Sequence, residues 1–368
     1  MKKFDKLLII VMSLLIVILV FGIFYYNVIL YYRNLSNKND LRQESSEIIV
    51  IPDQYKKIEL SAAGDCTLGT GANFSYKGNF DWWFKEKAKS DYKYFFSGVK
   101  DYFINDDYTF VNLEGTFTKS NNKTKKQFNF KGDPGYVNIL LEGSVEGVNL
   151  ANNHTNDYGT TGYSDTKKYL KEANIDTFGY DNVLIKEIKG IKIAFVGYTT
   201  VGLWPTSTSE MTKTIKSLKE EGKADIVVAN FHWGIELVRK MSDSQIKNAH
   251  LAIDNGADIV IGHHPHVVQG IENYKGKYIV YSLGNFVFGG NSYPGKGAWE
   301  AIIAKIYLNY KNNELQNIEL DIIPVSISSI SSRNDYKPVP LTGKKKQELI
   351  NTINKYSINY KYEEKVIE

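Results

Sequence analysis

Five of the six histidines in this 368-residue chain close short apolar, β-branched runs: His154, His232, His263, His264 and His266. The sixth, His250, falls inside a helical pattern, where a lone imidazole is usually packed or solvated, and it is set aside. Carboxylates close two further runs, in Gly64-Asp65 and in Asn112-Leu113-Glu114-Gly115. Imidazole nitrogen together with carboxylate oxygen suits zinc, manganese or iron, so donors gathered from several strand ends can hold one or two divalent ions.

In Gly262-His263-His264-Pro265-His266 the last two imidazoles are two residues apart in an extended loop, and Pro265 fixes φ between them. One backbone segment can thus serve two neighbouring metals, or a metal and a substrate oxygen. The cluster Asn152-Asn153-His154-Thr155-Asn156-Asp157-Tyr158-Gly159 follows the apolar run 148–151. A side-chain amide oxygen there can ligate a metal, and the adjacent imidazole can hydrogen-bond a developing oxyanion or protonate a leaving group. A carboxylate such as Asp65 or Glu114 can bridge two cations. Phe231-His232-Trp233-Gly234 adds an imidazole beside an indole wall. Taken singly, each cluster also reads as a turn, a helix cap or a packed histidine. Their recurrence after strand-like runs favours a site.

The elements that must carry these residues alternate in type. Strands are expected at 57–63, 108–113, 144–150, 191–197, 226–231, 259–261 and 278–283, with helices at 162–173 and 242–255 between them. Ser242 and Gln245 have the spacing of a capping box, and Gly256 supplies the stop. Alternation of this kind implies an α/β core, in which ligands lie beyond the carboxyl ends of the strands. Beyond Gly297 the pattern turns to strands at 301–308 and 315–323 and a helix at 344–355, with no further polar cluster. Lys344, Lys345 and Lys346 read as a solvated helix start.

The uncharged stretch 7–32 exceeds the ~20 apolar residues that span a bilayer core, and it closes on Tyr31 and Tyr32, as interfacial aromatics do. A cleaved signal peptide has a shorter apolar region ending in small residues, so a retained anchor is the better reading. Lys2, Lys3 and Lys6 keep residues 1–6 cytoplasmic and place everything after Arg33 outside the cell membrane, in a single-pass topology. Residues 33–55 then read as a polar, flexible spacer, 56–330 as one large domain and 331–368 as its extension. Cys66 is the one cysteine, which excludes an internal disulfide. A net charge of +4 with mixed signs gives no nucleic-acid footprint.

Gly64-Asp65-Cys66-Thr67-Leu68-Gly69, Val111-Asn112-Leu113-Glu114, the Asn152-Asn153-His154 cluster, His232-Trp233-Gly234, Gly256-Ala257-Asp258, the Gly262-His266 loop and Tyr281-Ser282-Leu283-Gly284-Asn285-Phe286 occur in this order. Together they resemble the CapA proteins of poly-γ-glutamate capsule synthesis, a branch of the metallophosphatase superfamily. The resemblance implies a four-layer α/β/β/α sandwich behind the transmembrane helix. It also implies that Asp65, Asn153, His232, His264 and His266 hold metal, with Glu114 added as the inferred bridge and His154 as the catalytic proton donor. Asn112, His263 and Asn285 are expected to bind substrate. Thr67 stands where the superfamily usually has a histidine ligand. The partners implied are the membrane, other capsule-synthesis membrane proteins and an anionic polymer such as poly-γ-glutamate. A phosphoesterase with a small substrate and an inactive scaffold are the rival readings.

Overall fold

The computed structural model describes residues 3–43 and 53–364, in two units, Met1–Asp53 and Gln54–Glu368. The first unit is a helix, Lys3–Gln43, of which Leu8–Leu35 is long and apolar enough to cross a membrane. Helical backbone does not stop at residue 32, where the spacer was expected to begin. No glycine or proline interrupts 33–43, so nothing in the sequence ends the helix there. Residues 44–52 of the expected spacer lie outside the described residues.

In the second unit, alternate residues of each central strand face different cores. Ile193 and Phe195 join one apolar cluster while Ala194 and Val196 join another, and the same alternation runs through Ile226–His232 and Ile259–His263. These strands belong to a six-stranded sheet, ordered Ile271–Tyr274, Lys277–Val280, Ile259–His263, Ile226–His232, Ile191–Thr199 and Leu184–Ile188. A larger sheet runs Val339–Pro340, Glu314–Ser326, Glu300–Lys311, Tyr55–Thr67, Tyr108–Leu113, Gly147–Asn149 and Asp176–Phe178, with Asn285–Phe288 paired to the end of Tyr55–Thr67.

The two sheets share one core, in which Ile58, Leu60 and Phe110 of the larger meet Phe195, Val228 and Ile261 of the smaller. Outside the larger sheet, Val111 and Leu113 pack under Phe80–Glu86, Val137–Glu142 and Gly159–Glu172. Outside the smaller, Val227 and Val260 pack under Thr208–Glu220 and Asp243–Asp254. The architecture is therefore the four-layer α/β/β/α sandwich. Ser242 and Gln245 make the capping box, and Gly256 follows the helix at φ +114°. His250 pairs with Glu272 at 2.9 Å and stacks on Tyr274, away from the strand ends.

Candidate metal centre

Asp65 lies near the end of Tyr55–Thr67, beside Asn285 across the parallel pairing. A Cβ at the preceding Gly64 would stand 2.0 Å from the Gly284 carbonyl oxygen, so only glycine lets the two backbones approach this closely. The Asp65 amide donates to that oxygen at 3.0 Å. Its carboxylate accepts from Asn112 Nδ2 at 2.8 Å and from the His264 amide at 3.2 Å, with His263 Nδ1 and His266 Nδ1 at 3.4 and 3.3 Å. His264 and His266 flank Pro265 with φ of 95° and 56°. Such conformations are costly for residues with a Cβ and persist where surrounding contacts enforce them.

Glu114 stands at the centre of the cluster. Both of its carboxylate oxygens are buried without a hydrogen-bond partner. His232 Nε2 lies 3.7 Å from Glu114 Oε1, and the Nε2 atoms of His154 and His266 each lie 3.8 Å from it. Donors bound ~2.0–2.2 Å from one ion stand roughly 3–4 Å apart, so this spacing fits shared ligation better than direct pairing. Two donor groups, Glu114 with His232 and His264, and Glu114 with Asp65 and His266, each fall within 4.8 Å, and they have Glu114 in common. Asn153 Oδ1 is 2.8 Å from His232 Nε2, which places the amide oxygen in the first group. Thr67 turns away and donates its hydroxyl to the Glu114 carbonyl at 2.9 Å.

Burial pushes the Glu114 carboxyl well above its ordinary range, and nearby Asp65 and Glu236 add to the rise. For Asp65, burial is outweighed by hydrogen bonds and charge from His263 and His266, and the carboxyl is held well below its usual value. His232 is kept neutral by burial and by its imidazole neighbours, and burial with His266 nearby lowers His264 to about 3. Neutral imidazole is the ligating form. Burial alone would lower His266, but Glu114 and Asp65 raise it to about 10.

His154 is oriented by its neighbours. Its Nδ1 is 2.8 Å from Asp157 Oδ2, and Asp157, itself buried, also accepts the Phe130 amide and pairs with Lys126. Lys126 further donates to the Asn153 carbonyl at 2.6 Å, and the Phe130 ring lies 4.4 Å from the imidazole. Burial lowers the His154 pKa against the opposing pull of Asp157. His154 and His266 open onto a cavity of about 350 Å³ walled by Phe74, Phe128, Phe130 and Phe288.

The structure thus brings Asp65, Glu114, Asn153, His154, His232, His264 and His266 together. Asn285 also reaches the cavity, holding His266 Nδ1 at 2.9 Å. Asn112 and His263, expected to bind substrate, have no exposed surface in this structure. Both point between the sheets, where Asn112 braces Asp65 and His232 and His263 braces Asp65. Sequence reasoning missed Asp157 and Lys126 as the support of His154, and Glu236, which approaches His264 and His266 from the exposed rim. Asp157 was within the quoted motif, but its reach depends on the turn that folds it back.

Residues 59–290, which include every candidate residue, match the family described as bacterial capsule synthesis protein PGA_cap. The chain belongs to that family. Over 265 residues it is 32% identical to the capsule biosynthesis protein CapA of Bacillus anthracis, covering 65% of this chain and 63% of that protein. It is 34% identical over 215 residues to the PGA biosynthesis protein CapA of Bacillus subtilis strain 168, covering 52% and 56%. The matches therefore span less than two thirds of these two relatives' own length. A probable polyglutamine synthesis accessory protein of Mycobacterium tuberculosis is 26% identical over 255 residues, 60% of this chain and 66% of that protein.

Proposed function

We propose that this chain is a membrane-anchored, extracytoplasmic component of capsule or poly-γ-glutamate synthesis and export, and that its domain carries a divalent metal centre with hydrolase-like chemistry. The observation that carries the reading is Glu114, a buried carboxylate with no hydrogen-bond partner on either oxygen, ringed by imidazole nitrogens. Glu114, Asn153, His232 and His264 would form one subsite, and Glu114, Asp65 and His266 the other. Manganese, zinc or iron held there would polarise a substrate oxygen and lower the pKa of water.

The chain's own residues do the rest. Asp157 takes the proton side of His154 Nδ1, so that Nε2 faces the space beside Glu114. From there His154 can deliver a proton to a leaving oxygen or nitrogen, and burial, by lowering its pKa, makes the imidazolium a readier donor. Asn285 orients His266, and the phenylalanine walls keep bulk water from the reacting groups. The relatives' names support a role beside other capsule-synthesis membrane proteins and an anionic polymer. The rival phosphoesterase reading gains from the cavity's size, which suits a small substrate.

The test compares two variants with matched folding. His154→Ala should keep its metal while activity on a γ-glutamyl chain, or polymer display, falls by ~10² to 10⁴. His264→Ala should lose metal and function together. Loss of metal from His154→Ala would make it a ligand. Retention of both metal and full function would favour the scaffold, and turnover confined to a generic aryl phosphate the phosphoesterase.

A further inference from the structure

The two subsites of the candidate centre are not equally furnished. Glu114, Asn153, His232 and His264 surround one, whereas only Glu114, Asp65 and His266 surround the other. Divalent ions of this kind take four donors or more. Thr67, two residues beyond Asp65, does not supply the missing one, because its hydroxyl is committed to the Glu114 carbonyl. Glu236 is better placed. Its carboxylate and the donor nitrogens of His264 and His266 all lie within 4.8 Å of one another, close enough for one ion to draw them together, and it lines the cavity beside His266.

The position of Glu236 is built into the fold. The Leu237 amide donates to the carbonyl of Pro265, the residue between the two imidazoles, at 2.8 Å. Gln269 Nε2 donates to the Val238 carbonyl at 2.8 Å and Arg239 Nη1 to the Val268 carbonyl at 3.1 Å, so the loop 234–240 is tied along the loop 264–269. Leu237 holds a φ of 61°, in the left-handed region like His264 and His266 opposite it, which marks a geometry that its surroundings enforce. No lysine or arginine among the described residues pairs with Glu236, and nearby Arg239 is taken by Glu300 at 2.6 Å. Three carboxylates, Asp65, Glu114 and Glu236, thus converge on His266. Like charges so placed repel one another, and a cation among them relieves the repulsion.

We propose that Glu236 is the fourth donor of the subsite formed by Asp65, Glu114 and His266, and closes it from the cavity side. Of these four donors it is the one that stands exposed. The proposal rests on the reading of this end as a two-ion centre.

The experiment titrates manganese into the metal-stripped full chain in detergent, by calorimetry, for wild type, Glu236→Ala and Glu236→Gln. Losing even an outer-shell partner costs roughly 10- to 100-fold in metal affinity, so Glu236→Ala should weaken one of two ions about 100-fold or more and leave the other within about twofold. Glu236→Gln keeps an oxygen in the same place and should fall between, at about 10-fold. Because the side chain is exposed, thermal unfolding of both stripped variants should match wild type. Earlier unfolding would make Glu236 a structural residue and overturn the assignment. Two ions bound by Glu236→Ala as tightly as by wild type overturn it too, and leave the metal centre standing. Equal weakening in the two variants does the same, since it would make Glu236 a source of field rather than a ligand, as does equal weakening of both ions. A wild-type chain that binds fewer than two ions overturns the two-ion reading and the proposal with it.

Discussion

Near the amino-terminal ends of the parallel strands, buried charge is paired. Lys305, 5% exposed, donates to Ser61 Oγ and the Tyr102 carbonyl at 2.7 Å and lies 2.5 Å from Glu59 and 3.7 Å from Asp106. Asp176 there accepts the Tyr108 hydroxyl at 3.1 Å and pairs with Lys186 at 2.9 Å. At the carboxyl ends, the Glu114 carboxylate oxygens, His263 Nε2 and His264 Nδ1 are just as buried, yet have no hydrogen-bond partner. The amino-terminal end also has the larger cavity, about 1150 Å³ against about 350 Å³. Cavity size therefore does not mark the site. Orphaned ligand atoms do, because a fold that satisfies polar groups at one end and leaves them open at the other has room there for a further ligand.

The largest effect is expected at Lys305. Lys305→Met should cost about 3–5 kcal/mol in urea unfolding, since it strands Asp106 and Glu59, and should leave metal content unchanged. A loss below 1 kcal/mol would show that this end is not held by its pairs. Asp157→Asn should leave metal bound and folding near wild type while lowering activity roughly 10- to 100-fold, the usual cost of losing a ligand's or catalyst's orienting partner. Unchanged turnover would remove Asp157 from the account.

Glu114→Gln sharpens the contrast through its sign. In metal-stripped protein it should be neutral or stabilising by about 1 kcal/mol, because a buried carboxyl that makes no hydrogen bond and meets His266 only at 3.8 Å is replaced by a neutral amide. Destabilisation of the stripped protein would mean that its attraction to His266 outweighs the cost of burying the carboxyl.

A pH-dependent effect concerns Glu146, which burial, opposed by the Thr109 amide and assisted by Asp106, pushes up to about 7. A carboxyl whose folded pKa is raised contributes stability that is full below the unfolded value and is lost as pH rises. The window here runs from about 4.5 to about 7. Glu146→Gln should flatten unfolding stability across that interval, and an unchanged slope would contradict the assignment.

Much of this was legible in the sequence because the strand ends and the donor residues coincide. Expected strands at 108–113 and 226–231 correspond to Tyr108–Leu113 and Ile226–His232, and the site residues follow from their ends. The inward placement of Asn112 and His263 was also readable. Phe110 and Ile261 face the core between the sheets, so by the two-residue period Asn112 and His263 must face the same way. The helix Thr208–Glu220 was missed although Ser207 and Glu210 form a capping box. Thr70–Gly71, Thr116–Phe117 and Phe130–Gly132 were not legible, because strands this short carry no periodicity. That small sheet delivers Phe130 to His154, which is why the support of the imidazole stayed hidden.

On the proposed function, the carboxyl end of the sandwich is a divalent metal centre built around Glu114. Elemental analysis of the full chain, purified in detergent and reloaded separately with manganese, zinc and iron, tests it directly when wild type is run beside Glu114→Gln. Retained metal of at least one ion per wild-type chain, and a marked fall in the variant at matched folding, is the predicted result. Wild-type protein that retains none of the three metals, or a variant that binds as much as wild type, would contradict the account.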